Sequence, residues 1–427
     1  MYFWPKKSLK QPKTTLPGSF VSEKKPFWKR KRFWIIVVLI FLFIVIFSGK
    51  DSKNPAALTP KEKTGKALSK QPSGTKALCL FPDTWSYVSN NPLRTPTGDN
   101  LSPWNIVADP TVIYDQNKFR MWYTAADGRA NADGSGNGGI AHAESADGIQ
   151  WNVWKKTDSP TGVIDLVLTG SRGGWDEPGV ETASVMRTPS GKYRMYYSGN
   201  RPPEGTNHFA IGLATSDDGI HWKKYGKGPV FEPKNQWELP TCTNPNDPRS
   251  CSNGGVLEPS VLYDTKEKIY KMWYAALGTK DDFLTFRMGY ATSADGTSWN
   301  RRSEPVLERG ESESWNDYLV SHVNVIPDPQ FGYHLFYVGA KISDYCEGCA
   351  LQRGNIGHAY STDGIRWQQD PRNPILSPRK GQWDEWTIGG PSVLAKGGEL
   401  LLWYFGNKSQ AINEAGIGFV KAACLNL

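Results

Sequence analysis

Beyond its first 32 residues the chain has no excess of either charge. The 427 residues carry 50 Lys and Arg against 42 Asp and Glu. Ten of those basic residues and one acidic residue fall in 1–32, which leaves 40 against 41 in the rest. A nucleic-acid groove needs a basic face, so the body argues against a nucleic-acid partner. Long helical periodicity is also missing, which excludes a helical bundle. The six Cys include one CxxC, Cys346 and Cys349, and no second CxxC. A structural zinc site of that kind is therefore excluded.

Only one long apolar run exists. Residues 33–48 read FWIIVVLIFLFIVIFS, directly after Lys29-Arg30-Lys31-Arg32. As a helix it would rise about 24 Å, short of a bilayer core of about 30 Å. The basic flank keeps the N-terminus in the cytosol and sends the rest across. No clear Ala-x-Ala site follows. The expectation is an uncleaved single-pass anchor at 33–48, with a basic cytosolic tail at 1–32 and a flexible stalk at 49–77. The body at 78–427 then lies on the extracytoplasmic or luminal side; secretion after cleavage is the alternative. An even number of cysteines agrees with export. Cys242 and Cys251 bracket a polar loop, and Cys346 and Cys349 suit a local disulfide. Cys79 and Cys424 lie at the two ends of the body, where a bridge would staple them. Asn407-Lys408-Ser409 is an N-glycosylation acceptor pattern.

What is abundant is Gly, Pro and aromatic residues: 43 Gly, 30 Pro, 18 Trp and 18 Tyr. The phrase Ser-x-Asp-Gly-x-x-Trp occurs at 145–151, 216–222, 293–299 and 361–367, starting 71, 77 and 68 residues apart. A unit of this size points to a repeat architecture. Three strand-like runs recur with it. The first is short and apolar: Asp109-Pro110-Thr111-Val112, Glu181-Thr182-Ala183-Ser184-Val185, Glu258-Pro259-Ser260-Val261, His322-Val323-Asn324-Val325 and Gly390-Pro391-Ser392-Val393. The second is aromatic, as at 119–123 and 270–274, and the third is Gly-rich, as at 211–215. Short fourth strands are expected at 229–231, 305–307 and 374–376. Five units of four strands predict an all-β, five-bladed propeller, the last blade completed from the segment near 78–80. The repeated phrase reads as scaffold.

Chemistry is expected where the repeats differ. The first position of the innermost strands is taken as Asp109, Glu181, Glu258, His322 and Gly390, so three carboxylates converge at one channel mouth. Carboxylates in close proximity hold different proton affinities, which is what glycosidic bond cleavage needs from an acid and a base or nucleophile. Asp176 is the nearby alternative for blade two. The recurrence of Trp175-Asp176 as Trp315-Asn316 and Trp383-Asp384 reads instead as blade architecture.

The five units, the Asp109-Pro110 step, the blade-three Glu258 and the Ser-x-Asp-Gly-x-x-Trp turns resemble the five-bladed glycoside hydrolases of families 43, 32 and 68, with a looser likeness to family 130. The resemblance spans about 78–427. It implies Asp109 as general base, Glu181 as the group that orients and tunes, and Glu258 as general acid. Glu181 departs from the usual Asp, and the Asn-Asp-Pro and Arg-Asp-Pro motifs of families 32 and 68 are incomplete, with Ala108 before Asp109 and Val180-Glu181-Thr182 in blade two, which weakens fructan activity. The likeness implies an inverting hydrolase of a furanose-containing polysaccharide or surface glycan. A glycosyltransferase or transglycosidase, and a non-catalytic glycan- or protein-binding propeller, are the rival readings. His322 is expected to contact substrate or hold water or an ion in the channel. Trp104 and Tyr318 are expected to stack on a sugar, and Arg287, with Arg129 and Arg353, to stand among the binding candidates. No cofactor is required for this chemistry. A structural calcium in the central channel is an allowed addition.

Overall fold

A computed structural model describes residues 84–423, apart from 103–105, 131–135, 159–163, 178, 201–207, 243–251, 281–282, 330–331, 347–351 and 411–413. The expected tail, anchor, stalk, Cys79 and Cys424 lie outside the described residues, as does the segment near 78–80. Among the described residues, no helix is long and apolar enough to cross a membrane.

Five blades of antiparallel strands form in chain order, the second and third also joined by a short parallel pairing of His208 and Phe209 with Gly254 and Gly255. Blade one is β2 (Val107–Asp115), β3 (Lys118–Ala130), β4 (Gly136–Ser145) and β5 (Asn152–Val153), with β6 (Leu166–Thr169) also on β4. Blade two is β7 (Val180–Arg187), β8 (Tyr193–Asn200), β9 (His208–Ser216) and β10 (Lys223–Lys224). Blade three is β11 (Gly254–Asp264), β12 (Ile269–Lys280), β13 (Phe283–Ser293) and β14 (Asn300–Arg301). Blade four is β15 (Leu319–Asp328), β16 (Gly332–Ala340), β17 (Asn355–Ser361) and β18 (Gln368–Gln369). Blade five is β19 (Thr387–Lys396), β20 (Glu399–Asn407) and β21 (Gly416–Ala423). Its fourth strand is β1 (Ser86–Tyr87), which pairs with β21 at Ser86–Lys421 and Tyr87–Val420. The N-terminal segment thus closes the last blade, a few residues beyond the expected place. The expected fourth strands at 229–231, 305–307 and 374–376 contribute only the single bridges of Phe231, Leu307 and Leu376 to the third strands.

The innermost strands close a ring. β2 packs on β7, β7 on β11, β11 on β15, β15 on β19, and β19 on β2. One polar side chain per blade ties it. Thr111, Ser184, Ser260, Asn324 and Ser392 each accept a hydrogen bond from the N–H of Val185, Val261, Val325, Val393 and Val112 on the following blade, at 2.9–3.5 Å. The circuit returns to its start only with five blades.

The apolar core is divided among the seams. Trp403 packs with Phe119 and Trp151 between blades five and one, Trp122 with Tyr193 between one and two, Tyr196 with Tyr270 between two and three, Trp273 with Tyr333 between three and four, and Phe336 with Leu402 between four and five. Each fully buried side chain of Phe size contributes about 1.5–3 kcal/mol, so the aromatic second strands supply much of the adhesion between blades.

The repeated phrase is a turn that also clasps the preceding blade around the ring. In its first copy, Ser145 Oγ accepts from Gly148 N–H at 2.8 Å, and Asp147 Oδ1 accepts from the N–H groups of Ile149 and Gln150. Gly148 sits at φ 78°, a conformation that Gly adopts without steric cost. Its carbonyl accepts from Trp151 Nε1 of its own turn and from Trp403 Nε1 of blade five at 2.9 Å. The same clasp joins Trp122 to Gly219, Tyr196 to Gly296 and Trp273 to Gly364, at 2.7–2.8 Å. At the seam of blades four and five the matching residue is Phe336, which has no donor, and blade five has no such turn to receive one. The scaffold reading of the phrase therefore stands.

Cys242 and Cys346 are each disulfide-bonded, while Cys251 and Cys349 lie outside the described residues. Asn407 is fully buried with its amide donating to the Ser409 carbonyl. A glycan needs that amide exposed, so the glycosylation expectation is corrected.

Candidate active site at the channel mouth

Each innermost strand breaks step with its second strand at one point: between Ala108 and Thr111, Glu181 and Ser184, Leu257 and Ser260, Ser321 and Asn324, and Gly389 and Ser392. These are β-bulges, and a bulge re-aims its side chain. The first bulged residue is left-handed in all five blades: Asp109 at φ 49°, Thr182 at 49°, Glu258 at 52°, His322 at 48° and Gly390 at 53°. Together they line one cavity in the centre of the ring with the residues that follow them.

This places Thr182, not Glu181, at the blade-two position. Glu181 is one residue earlier, pairs with Ser198 across the ladder, and is buried without lining the channel. The expected trio of channel carboxylates is therefore a pair. The signal was present in the sequence. The Thr/Ser/Asn-Val step that ends each segment places Thr182 two residues before Ser184, as Asp109 stands two before Thr111. Asp176 is wholly buried and holds Ser171 N–H, Tyr197 and Lys224. Asp384 holds Arg379 and Tyr404 in the same way, so this repeat is architecture.

His322 joins the two channel carboxylates. Its Nε2 is 3.1 Å from Asp109 Oδ1 and its Nδ1 is 3.3 Å from Glu258 Oε1. Its N–H donates to Glu258 Oε2 at 2.5 Å, and Ser321 Oγ is 3.0 Å from Nδ1. Asp109, Glu258 and His322 are all more than nine-tenths buried. Burial raises the Glu258 carboxyl above its ordinary range, with the His322 charge and N–H opposing. Burial works against charge on His322 too, but the Glu258 charge and the Asp109 hydrogen bond outweigh it and push the imidazole up to about 8. Burial and the neighbouring acids thus pull the imidazole in opposite directions, and the acids prevail.

Tyr318, Arg287 and Arg353 are not brought here. Tyr318 packs in an apolar cluster with Phe209, Leu257 and Phe286, edge-on to Tyr345. Arg287 is buried and donates to the Trp237 carbonyl at 3.2 Å. Arg353 lies over the Trp386 ring at 4.6 Å. Trp104 and Arg129 cannot be placed: Trp104 lies outside the described residues, and so does the Arg129 side chain. Calcium takes six to eight oxygen ligands. Among the described residues, no group of three or more His, Cys, Asp or Glu is arranged to hold a metal. The donor set of two carboxylates around an imidazole does not suit the expected calcium.

No protein-family model matches the chain. Among solved structures, one described as a glycoside hydrolase superposes with a TM-score of 0.58 at 19% identity, covering 82% of this chain and 93% of its own. The fold is that of the propeller-type glycoside hydrolases. A structure from work on the family 130 mannoside phosphorylases and glycoside hydrolases that target β-1,2 mannosidic linkages in Candida mannan gives 0.54 at 18% identity, over 82% of this chain and 99% of that one. A β-1,2-mannobiose phosphorylase from Listeria innocua gives 0.55 at 14%, over 80% and 97%. A curated relative, the uncharacterized protein Rv1502 of Mycobacterium tuberculosis, is 23% identical over 250 residues, 57% of this chain and 72% of the relative.

Proposed function

We propose that the protein is a glycoside hydrolase in which Glu258 protonates the departing oxygen and Asp109 activates water. The observation that carries this reading is the convergence of Asp109 and Glu258 on equivalent bulges at one channel mouth, coupled through His322. Burial keeps Glu258 protonated further up the pH scale than an ordinary carboxyl, as a general acid requires. The Asp109 carboxyl lies 3.1 Å from His322 Nε2, which orients it to activate water. Glu181 has no part in this scheme. The separation of the acids is bounded by one imidazole and its two close contacts of 3.1 and 3.3 Å, which admits either stereochemical course. Inversion follows only from the family 43 likeness. Furanose-containing polysaccharide and β-mannoside glycans are the substrate classes to test first. Export on a membrane anchor at 33–48 completes the reading, with the body facing a glycan-bearing compartment.

One observation favours glycan binding without turnover: Thr182 puts a hydroxyl where a third carboxylate was expected. A single experiment separates the readings. The protein is assayed on arabinofuranosides, xylosides and β-mannosides, with and without inorganic phosphate, since two matched structures come from phosphorylase work. Wild-type turnover that vanishes in Asp109→Asn and Glu258→Gln supports the hydrolase. Phosphate-dependent release of a sugar phosphate replaces hydrolysis by phosphorolysis. Sugar binding with no turnover over the panel moves the protein to the binding class.

A further inference from the structure

A bulge takes its residue out of the ladder, so the bulged N–H needs a partner from elsewhere. The second strand offers one from a fixed position, opposite the residue just before its own bulge. That position is Thr124 in blade one, Ser198 in blade two and Ala275 in blade three. In blades one and two its hydroxyl reaches across the seam. Thr182 N–H donates to Thr124 Oγ1 at 3.0 Å, and Glu258 N–H donates to Ser198 Oγ at 2.8 Å. Ser198 Oγ, fully buried, is also hydrogen-bonded to Thr182 Oγ1. In blade three Ala275 has no hydroxyl. The N–H that such a group would have taken, that of His322, goes to Glu258 Oε2 instead.

We propose that Ser198 and Ala275 are the positioning residues of Glu258. Ser198 acts through the hydroxyl that holds the Glu258 backbone in its left-handed conformation. Ala275 acts through the hydroxyl it lacks, which leaves the His322 N–H to the Glu258 carboxylate and fixes that carboxylate against the imidazole. The proposal rests on Glu258 being the proton donor. It assigns the orienting role expected of Glu181 to a pair of small residues, and it explains why the His322 N–H is held by an acid where those of Thr182 and Glu258 are held by hydroxyls.

The test adds and removes single oxygen atoms. Ala275→Ser restores the blade-one and blade-two pattern and gives the His322 N–H a neutral acceptor. Glu258 then loses a hydrogen bond to its charged form, and its titration moves up. The basic limb of the kcat/KM profile should rise by about half a pH unit or more, while Ala275→Gly leaves it in place. Ser198→Ala strands a buried N–H and should lower kcat about tenfold with KM near wild type, and Ser198→Thr should restore most of it. Thermal melts confirm that each variant is folded. A folded Ala275→Ser protein with the wild-type profile overturns the proposal, as does Ser198→Thr as impaired as Ser198→Ala. Titration of the Glu258 carboxyl by 13C NMR decides the matter without substrate. An upward shift in Ala275→Ser supports the positioning, and an unchanged curve overturns it. Absence of wild-type turnover counts instead against the glycosidase reading.

Discussion

The outer turns and the channel-mouth bulges both repeat a left-handed residue, yet only the turns repeat their side chains. Gly148, Gly219, Gly296 and Gly364 hold φ of 74–78°, and the five bulges hold 48–53°. In a turn, every group is committed to the fold: the Ser and Asp oxygens to local N–H groups, the Gly carbonyl to the neighbouring blade. At a bulge the fold is carried by backbone and by the Ser, Thr or Asn two residues on, and the first side chain projects into the channel. Asp, Thr, Glu, His and Gly all occupy it. A left-handed non-Gly residue costs about 1–3 kcal/mol, so four of the bulges keep a side chain where Gly, as at Gly390, would be relaxed. Strain at the mouth and relaxation at the turns separate the region proposed to do chemistry from the one that holds the ring.

Substitutions at the two regions should therefore fail in opposite ways. The largest effect is expected from Glu258→Gln, which should lower turnover by about 10²–10⁴ with a nearly unchanged melting temperature; a parallel loss of stability would merge the two regions. Gly296→Ala should do the reverse. Its added Cβ would meet Arg194 Nη1 and the Tyr196 hydroxyl, so denaturant titration should show a loss of about 2–4 kcal/mol, with activity per folded molecule retained. Trp122→Phe removes the donor to the Gly219 carbonyl and should cost about 1–3 kcal/mol.

A pH series sharpens the contrast at the mouth. The folded value of His322, about 8, lies above its ordinary 6.5. Its stabilisation is therefore fully present below about 6.5 and lost as pH rises through about 8. The stability gap between wild type and His322→Asn should narrow by about 2 kcal/mol over that window, and a gap constant with pH would show the imidazole to be neutral. The smallest effect is expected from Glu181→Gln, which should keep the wild-type kcat and pH profile. A loss matching that of Glu258→Gln would return Glu181 to the site.

Much of this was legible because repetition makes positions comparable. The Asp-Gly turns gave the unit length, the aromatic runs gave the second strands, and the five apolar runs gave the blade count. Asp109, Glu258 and His322 were readable as the differing members of an aligned column. Glu181 was misread because an acid drew attention away from the Ser184-Val185 step beside it, and period-two alternation turns a one-residue slip into a change of face. Tyr318 and Arg287 were misjudged for another reason. Nearness in sequence to an innermost strand does not tell whether a side chain faces the channel or the seam.

The chain's sequence by itself determined an all-β ring of five repeated blades, because turn chemistry and alternation are local and recur. It also determined which residue types stand at the start of each innermost strand. Only the tertiary structure decided that Thr182 takes the blade-two position, that His322 lies between Asp109 and Glu258, and that Ser198 takes the Glu258 N–H while Glu258 takes that of His322. Those facts depend on bulges and on hydrogen bonds that cross from one blade to the next, between residues about 60 apart in the chain, and no local pattern specifies them.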